Sequence, residues 1–356
     1  MQLALAQLSA HLAKGPRALY ALHGDEPLLA QEALDAIRAA IRAGADGPVE
    51  RAVYTVQGAH FDWSAVLAAG QSLGLFANRQ MVEIRIPSGK PGKDGSGALQ
   101  QIAQNAAHGA AGDSNTFTLV TLPRLDRQTK SSAWFAALEG HGVTIQINPV
   151  ERAALPQWIA QRLAAQGQRV QAGEAGSRTL QFFADRVEGN LLAAHQEIVK
   201  LGLLYPADEL TQQQVESAVL NVARYDVFKL SEAVLAGQRA RAERMLDGLQ
   251  AEGEPEVLVH YALAEDIRAI KRIQDALTAG QPLPLALREA RVWGARERLL
   301  ERALPRITAP QAAGLLAAAH TVDGIVKGLP SPGWPSGPWQ ALARLAQSLC
   351  AACGGR

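Results

Sequence analysis

Five short strand-like runs alternate with helical stretches through the first 150 residues, and none follows them. The runs cover 18–22, 52–56, 81–86, 116–121 and 143–147, with helical patterns over 28–41, 62–73, 98–107 and 131–138 between them. Parallel strands need long crossovers, usually helices. The alternation therefore predicts βαβ units and a mostly parallel sheet covered on both faces. The stretch 87–97, rich in Gly, Ser and Lys, reads as a mobile loop. From Glu151 onward only helical patterns appear, first over 155–165, 177–187 and 190–203. They continue over 212–220, 226–235, 239–250, 256–277, 284–289, 296–303, 309–326 and 338–350. Gly189 breaks the second from the third, Pro206 closes that group, and Thr211 has the chemistry of an N-cap. In the longest pattern Val257, Leu258, Tyr261, Ala262, Ala264, Ile267, Ile270 and Ile273 recur at three and four, as an amphipathic helix demands. A chain of 356 residues exceeds one ordinary core. The expected fold is multi-domain, α/β followed by all-α. Its parts are an α/β domain over 1–149, a small helical domain over 150–209 and a helical C-terminal domain over 210–356.

Charge narrows the partners. The net charge is +1, so contact with nucleic acid has to come from local patches and not from a global field. Arginines and lysines from Arg268 to Arg306 interleave with Glu265, Asp266, Asp275, Glu289, Glu297 and Glu301. The plain reading is a solvated face with ion pairs; a phosphate-backbone or subunit contact is the alternative. The only cysteines, Cys350 and Cys353, have no histidine pair beside them, and their spacing fits one face of a terminal helix. Sparse cysteine suits a reducing cytosol. The N-terminus has no cationic region before an apolar core, and no run reaches the ~18 apolar residues that span a bilayer. A cytoplasmic protein without membrane contact is expected.

A parallel sheet with a helical appendage invites a test of the first strand–helix turn for phosphate binding. That chemistry needs several glycines, a Lys, and a Ser or Thr for Mg²⁺. The turn carries His23, Gly24, Asp25, Glu26 and Pro27, with one glycine and none of the other groups. Asp25 and Glu26 complement the helix dipole and take the place an anion would occupy. The Gly92-Lys93 pair is followed by Asp94, Pro87 holds the place of the leading glycine, and no helix is expected to start there directly. The fourth strand ends in Pro123, Arg124, Leu125 and Asp126, and one Asp beyond a proline does not supply the acidic pair an ATPase needs. The eight histidines show no metal-binding spacing, and no nucleophile motif occurs. No catalytic residue, metal or cofactor is expected.

One turn stands out against this absence. A helical run over 62–70 leads into Gln71, Ser72, Leu73 and Gly74, and Gly74 suits the left-handed position that closes a helix. Leu75 and Phe76 come next, then polar residues and a strand. An apolar pair at such a turn either folds inward as a plug or projects as an anchor for a partner.

Several stretches in order resemble the delta subunits of bacterial DNA polymerase III clamp loaders. They are 22–29, 71–80, 133–138, 155–160, 188–194 and Arg291-Val292-Trp293, so the resemblance covers nearly the whole chain. It implies an AAA+ type P-loop-like parallel sheet domain, a helical lid and a helical collar that joins a five-subunit ring. It also implies an ATPase-inactive subunit of a DNA-directed DNA polymerase assembly, a nucleotidyltransferase acting in DNA replication. Such a subunit binds and opens the ring-shaped β sliding clamp, and sister subunits hydrolyse ATP to release it onto primed DNA. The family's clamp-binding element maps onto Gln71, Leu73, Gly74, Leu75 and Phe76, with Gly74 where such motifs often carry Ser or Asp. The alternatives are an active ATPase of the same fold, a sister subunit and a helical scaffold. Sister subunits usually carry a four-cysteine zinc module in the first domain, and this chain has no cysteine before Cys350.

Overall fold

A computed structural model describes residues 1–45, 47–58, 61–69, 79–108, 115–219 and 225–354. The chain divides into two compact units, Met1–Trp158 and Ile159–Arg356.

In chain order the first unit holds β1 (Gln2–Leu3), α1 (Leu8–Leu12), β2 (Leu19–Gly24), α2 (Pro27–Ala43), β3 (Val49–Thr55), α3 (Trp63–Ala69) and β4 (Arg79–Arg85). It continues with α4 (Gly92–His108), β5 (Thr116–Leu122), α5 (Arg127–Lys130), α6 (Ala133–His141) and β6 (Val143–Ile147), and α7 (Leu155–Ala165) begins at its end. The strands form one parallel sheet in the order β1-β6-β2-β5-β4-β3. Period-two alternation splits each strand between two cores. Leu19, Ala21, Val82, Ile84 and Val120 face α3, α4 and α6, whereas Tyr20, Leu22, Met81, Phe117 and Leu119 face α1 and α2. This is the parallel α/β sheet expected, with helices following it.

Two expectations need correction here. The sheet has six strands and not five, because Gln2 and Leu3 add an edge strand on β6. Helix α4 starts at Gly92, so the predicted loop shrinks from 87–97 to the few residues before it. The glycines that suggested a loop have a packing reason. A Cβ on Gly95 would lie 2.5 Å from the Trp63 ring, so the indole packs directly on the helix backbone. Asp94 in the first turn favours the helix start by complementing its dipole.

After α7, the second unit contains β7 (Arg169–Val170), α8 (Glu174–Val187), α9 (Leu191–Leu204), β8 (Glu209–Leu210) and α10 (Gln212–Ala218) as a first helical group. A second group follows: α11 (Val227–Leu235), α12 (Arg239–Ala251), α13 (Glu256–Thr278), α14 (Leu283–Glu289), α15 (Ala295–Ala303), α16 (Ala309–Val326) and α17 (Pro338–Gly354). The paired β7 and β8 are strands that the helical patterns do not foretell. Thr211 caps α10 as expected. Its hydroxyl accepts from Gln214 N at 3.2 Å, and Gln214 Oε1 accepts from Thr211 N at 2.8 Å. Such a box satisfies two orphan donors at once. Among the described residues the core of the second group runs from Tyr225 onward, with α13 packed on α16 and α17. The buried stripe of α13 runs through Val259, Leu263, Ile267, Ile270 and Ile273. Val257, Leu258 and Tyr261 are exposed, a correction to the single stripe expected. Their spacing is helical, but they lie beside the stripe and not on it. Cys350 and Cys353 are both buried on α17; burial raises both thiol pKa values, that of Cys353 to about 12.

Candidate functional site

The turn between β2 and α2 sits at the carboxyl end of the sheet, where open α/β folds bind ligands. Here the protein's own groups fill it. His23 is buried, with its ring edge-on to Phe135 at 5.4 Å between centroids. Burial, aided by Lys130 and opposed by Glu139, lowers its pKa to about 4, so the imidazole is neutral near pH 7. At Gly24 a Cβ would lie 1.8 Å from the Ile147 carbonyl oxygen of the adjacent strand β6, which leaves room for glycine alone. This close approach accounts for the single glycine without any phosphate.

The two acids are bonded to backbone. Asp25 Oδ1 accepts from Arg124 N at 3.0 Å, which ties the turn to the segment after β5. Glu26 is the N-cap of α2, and its Oε1 accepts from Leu28 N at 3.3 Å. Burial raises the Glu26 pKa, and the Leu28 N–H partly offsets that. Pro27 brings no N–H at the first helical position. A phosphate arriving at this helix end would meet a carboxylate already on the first amide and no cation supplied by the turn.

The other phosphate-like features resolve as well. Lys93 does lie at a helix start, contrary to expectation, but Pro87 and Pro91 on the approach have no N–H and Asp94 follows it. Asp126 caps α5, with Oδ1 accepting from Thr129 N at 2.6 Å, and that bond holds its pKa below the usual carboxylate range. A cavity of about 320 Å³ lies at the opposite, amino end of the strands, lined by Val66, Leu67, Val82, Ile102, Thr116 and Thr118 among others. That is the wrong end of a parallel sheet for a nucleotide. Among the described residues no three His, Cys, Asp or Glu side chains gather as a metal site would need, and no helix is long and apolar enough to cross a membrane.

Gln71, Leu73, Gly74, Leu75 and Phe76 lie outside the described residues. The described residues on either side belong to α3 (Trp63–Ala69) and β4 (Arg79–Arg85). Arg79 donates to Ile41 O at 3.3 Å and lies over the Phe117 ring.

In the second unit part of the interleaved charge is ion-paired, and one of its acids, Asp266, is buried rather than on a solvated face. Arg268 and Arg272 meet Glu265, Lys271 meets Asp275, and Arg296 meets the buried Asp266. One backbone feature was not foreseen. Arg291 has φ +56°, the only positive value at a non-glycine among the described residues, and the nearby Trp293 is 65% exposed. The triplet of Arg, Val and Trp carries no periodic signal, so its shape is not readable beforehand.

The DNA polymerase III, delta subunit family matches residues 20–148. The DNA polymerase III subunit delta of Escherichia coli (strain K12) is 31% identical over 305 residues, covering 86% of this chain and 84% of that protein. The DNA polymerase III subunit delta of Haemophilus influenzae is 26% identical over 355 residues, covering 97% and 98%. The DNA clamp loader delta protein of Bacillus subtilis shares the fold, with a TM-score of 0.50 at 16% identity across 97% of this chain and 99% of its own. From the identity and reach of the Escherichia coli match, the chain belongs to the DNA polymerase III delta subunit family.

Proposed function

We propose that this chain is the non-hydrolysing clamp-loader subunit that binds and opens the β sliding clamp for loading onto primed DNA. The observation that carries this reading is the filled turn after β2. Asp25 and Glu26 are bonded to backbone amides, and the turn has no Lys, Ser or Thr for a triphosphate and its Mg²⁺. A member of this family without a working nucleotide site contributes by binding, and it does so inside the cytoplasmic polymerase assembly without catalysis of its own.

On this reading residues 1–149 form the clamp-engaging domain, 150–209 the lid and 210–356 the collar that joins the other subunits of a hetero-pentameric ring. DNA is met through the assembled ring. Leu75 and Phe76, with Gln71, Leu73 and Gly74, are the clamp anchor. A Leu-Phe pair entering an apolar pocket supplies roughly 1.5–3 kcal/mol per fully buried side chain, and such aromatic anchors are typical hot spots.

The test is binding to purified β clamp by the wild type and by Leu75→Ala with Phe76→Ala. A loss of at least ~2 kcal/mol in a folded double variant supports the anchor. Wild-type affinity in that variant sinks it. Titration with ATP separates the active-ATPase alternative: saturable binding to the isolated chain would contradict the filled turn.

A further inference from the structure

The acids and bases that join the two helical groups of the second unit stand at the unfavourable ends of their own helices. Asp185 lies in the last turn of α8 and Glu188 is its C-cap, where a helix already carries partial negative charge. Arg241 lies in the first turn of α12 and Arg244 one turn on, toward the positive end. Neither placement helps its own helix. Each makes sense only across the seam.

There the two i,i+3 pairs match. Arg241 donates through Nε and Nη2 to Glu188 Oε1 at 3.1 and 2.5 Å. Arg244 Nη2 lies 3.2 Å from Asp185 Oδ2. The Tyr225 hydroxyl donates to the Asp185 carbonyl at 3.4 Å. Of the neighbouring groups, Arg186 lies over the Phe182 ring and Arg239 pairs with Glu243, while Gln181 donates to Asp185 Oδ1 and Gln238 Oε1 accepts from Arg241 Nη1, each within its own helical group. Among the described residues the hydrophobic core of the second group begins at Tyr225, whose hydroxyl is the atom that reaches α8.

We propose that Asp185, Glu188, Arg241 and Arg244 form an electrostatic clasp that sets the angle of the first helical group on the second and lets it swing when the clasp opens. A seam made of ion pairs reopens more readily than a packed apolar one, because the separated charges regain water. The dipoles explain why it is not tighter. Each charge is held slightly against the field of its own helix, so closure is limited by placement. Exchanging the signs would put bases at the end of α8 and acids at the start of α12, with both dipoles now in favour.

The experiment uses the full chain with spin labels on cysteines introduced at the exposed Gln196 of α9 and Glu301 of α15, with the wild type, whose two cysteines are buried, as the labelling control. The distance distribution is read by pulsed electron resonance. The native clasp is expected to give one narrow distribution at low salt. Arg241→Gln with Arg244→Gln is expected to broaden it at unchanged helix content. The fourfold exchange (Asp185→Arg, Glu188→Arg, Arg241→Glu, Arg244→Glu) is expected to restore a distribution at least as narrow as the native one and to hold it at higher salt. A narrow distribution in the double variant overturns the proposal, and so does a broad one in the native chain or in the exchange. If the double variant does not fold, the exchange alone decides.

Discussion

Arg38 on α2 forks onto Glu83 on β4, with Nε 2.8 Å from Oε1 and Nη2 2.9 Å from Oε2. Arg51 on β3 makes the same fork at 2.7 and 2.9 Å. The Glu83 side chain is 3% exposed, so both its oxygens depend on these donors. Desolvation pushes its pKa up, but the Arg51 and Arg38 guanidiniums prevail and hold it at about 2.

The pH dependence follows from that sign. A carboxylate depressed from 4.5 to about 2 stabilises the fold fully above its ordinary value and loses that contribution as pH falls toward 2. The whole effect is at most about 3 kcal/mol. Glu83→Ala is expected to destabilise at neutral pH by about 3 kcal/mol, since it leaves the buried Arg38 with only the exposed Asp35 as a partner, while the more exposed Arg51 rehydrates. It should also flatten the acid limb. Urea midpoints across the acid range check both, and an unchanged acid limb would contradict the account.

His23 acts in the adjoining window. Its pKa is lowered from 6.5 to about 4, so between those values the unfolded chain binds a proton that the folded chain does not. Stability therefore falls as pH drops through this window. His23→Phe is expected to remove that slope while leaving the lower window, set by Glu83, in place. Thermal melts of both variants over the two windows separate the contributions.

The parts legible in the sequence are those with local causes. Thr211 and Gln214 form their box within one turn, and the alternation of Met81 to Ile86 needs only its own two faces. What was hidden depends on distant partners. Gln2 and Leu3 are too short for any period and become a strand only because β6 pairs with them. Gly95 signals a loop until the Trp63 ring is seen pressed on its backbone. Glu83 lies in an alternating strand whose pattern gives no sign of a partner, and Arg38 on α2 meets it from 45 positions away. In the candidate site the want of a Lys, Ser or Thr in the turn is a matter of residue types alone. The bonds from Asp25 to Arg124 N and from Glu26 to Leu28 N are not.

Gly24→Ala probes that site. The new methyl would overlap the Ile147 carbonyl, so β2 and β6 must part locally. A loss of at least about 2 kcal/mol is expected, in the range of overpacked sites. Chemical denaturation measures it. A variant as stable as the wild type would show that the turn has slack, which would reopen it as a ligand site.

Arg296 and Asp266 offer the last test. Asp266 on α13 is 1% exposed; its Oδ1 accepts from Arg296 Nε at 2.6 Å, and Oδ2 accepts from Ser231 on α11. Burial still leaves the Asp266 pKa raised, because Arg296 and Ser231 offset only part of the desolvation. Breaking the pair from one side should therefore cost more than removing it. Arg296→Met leaves a buried charge beside one hydroxyl, and a loss of about 3–5 kcal/mol is expected. Arg296→Met with Asp266→Asn should recover much of that, giving a coupling of about 1–3 kcal/mol in a double-mutant cycle. The Arg296→Met loss should shrink as pH falls, since a raised pKa makes Asp266 easy to protonate. Additive single losses would mean that the two side chains hold α15 and α13 independently.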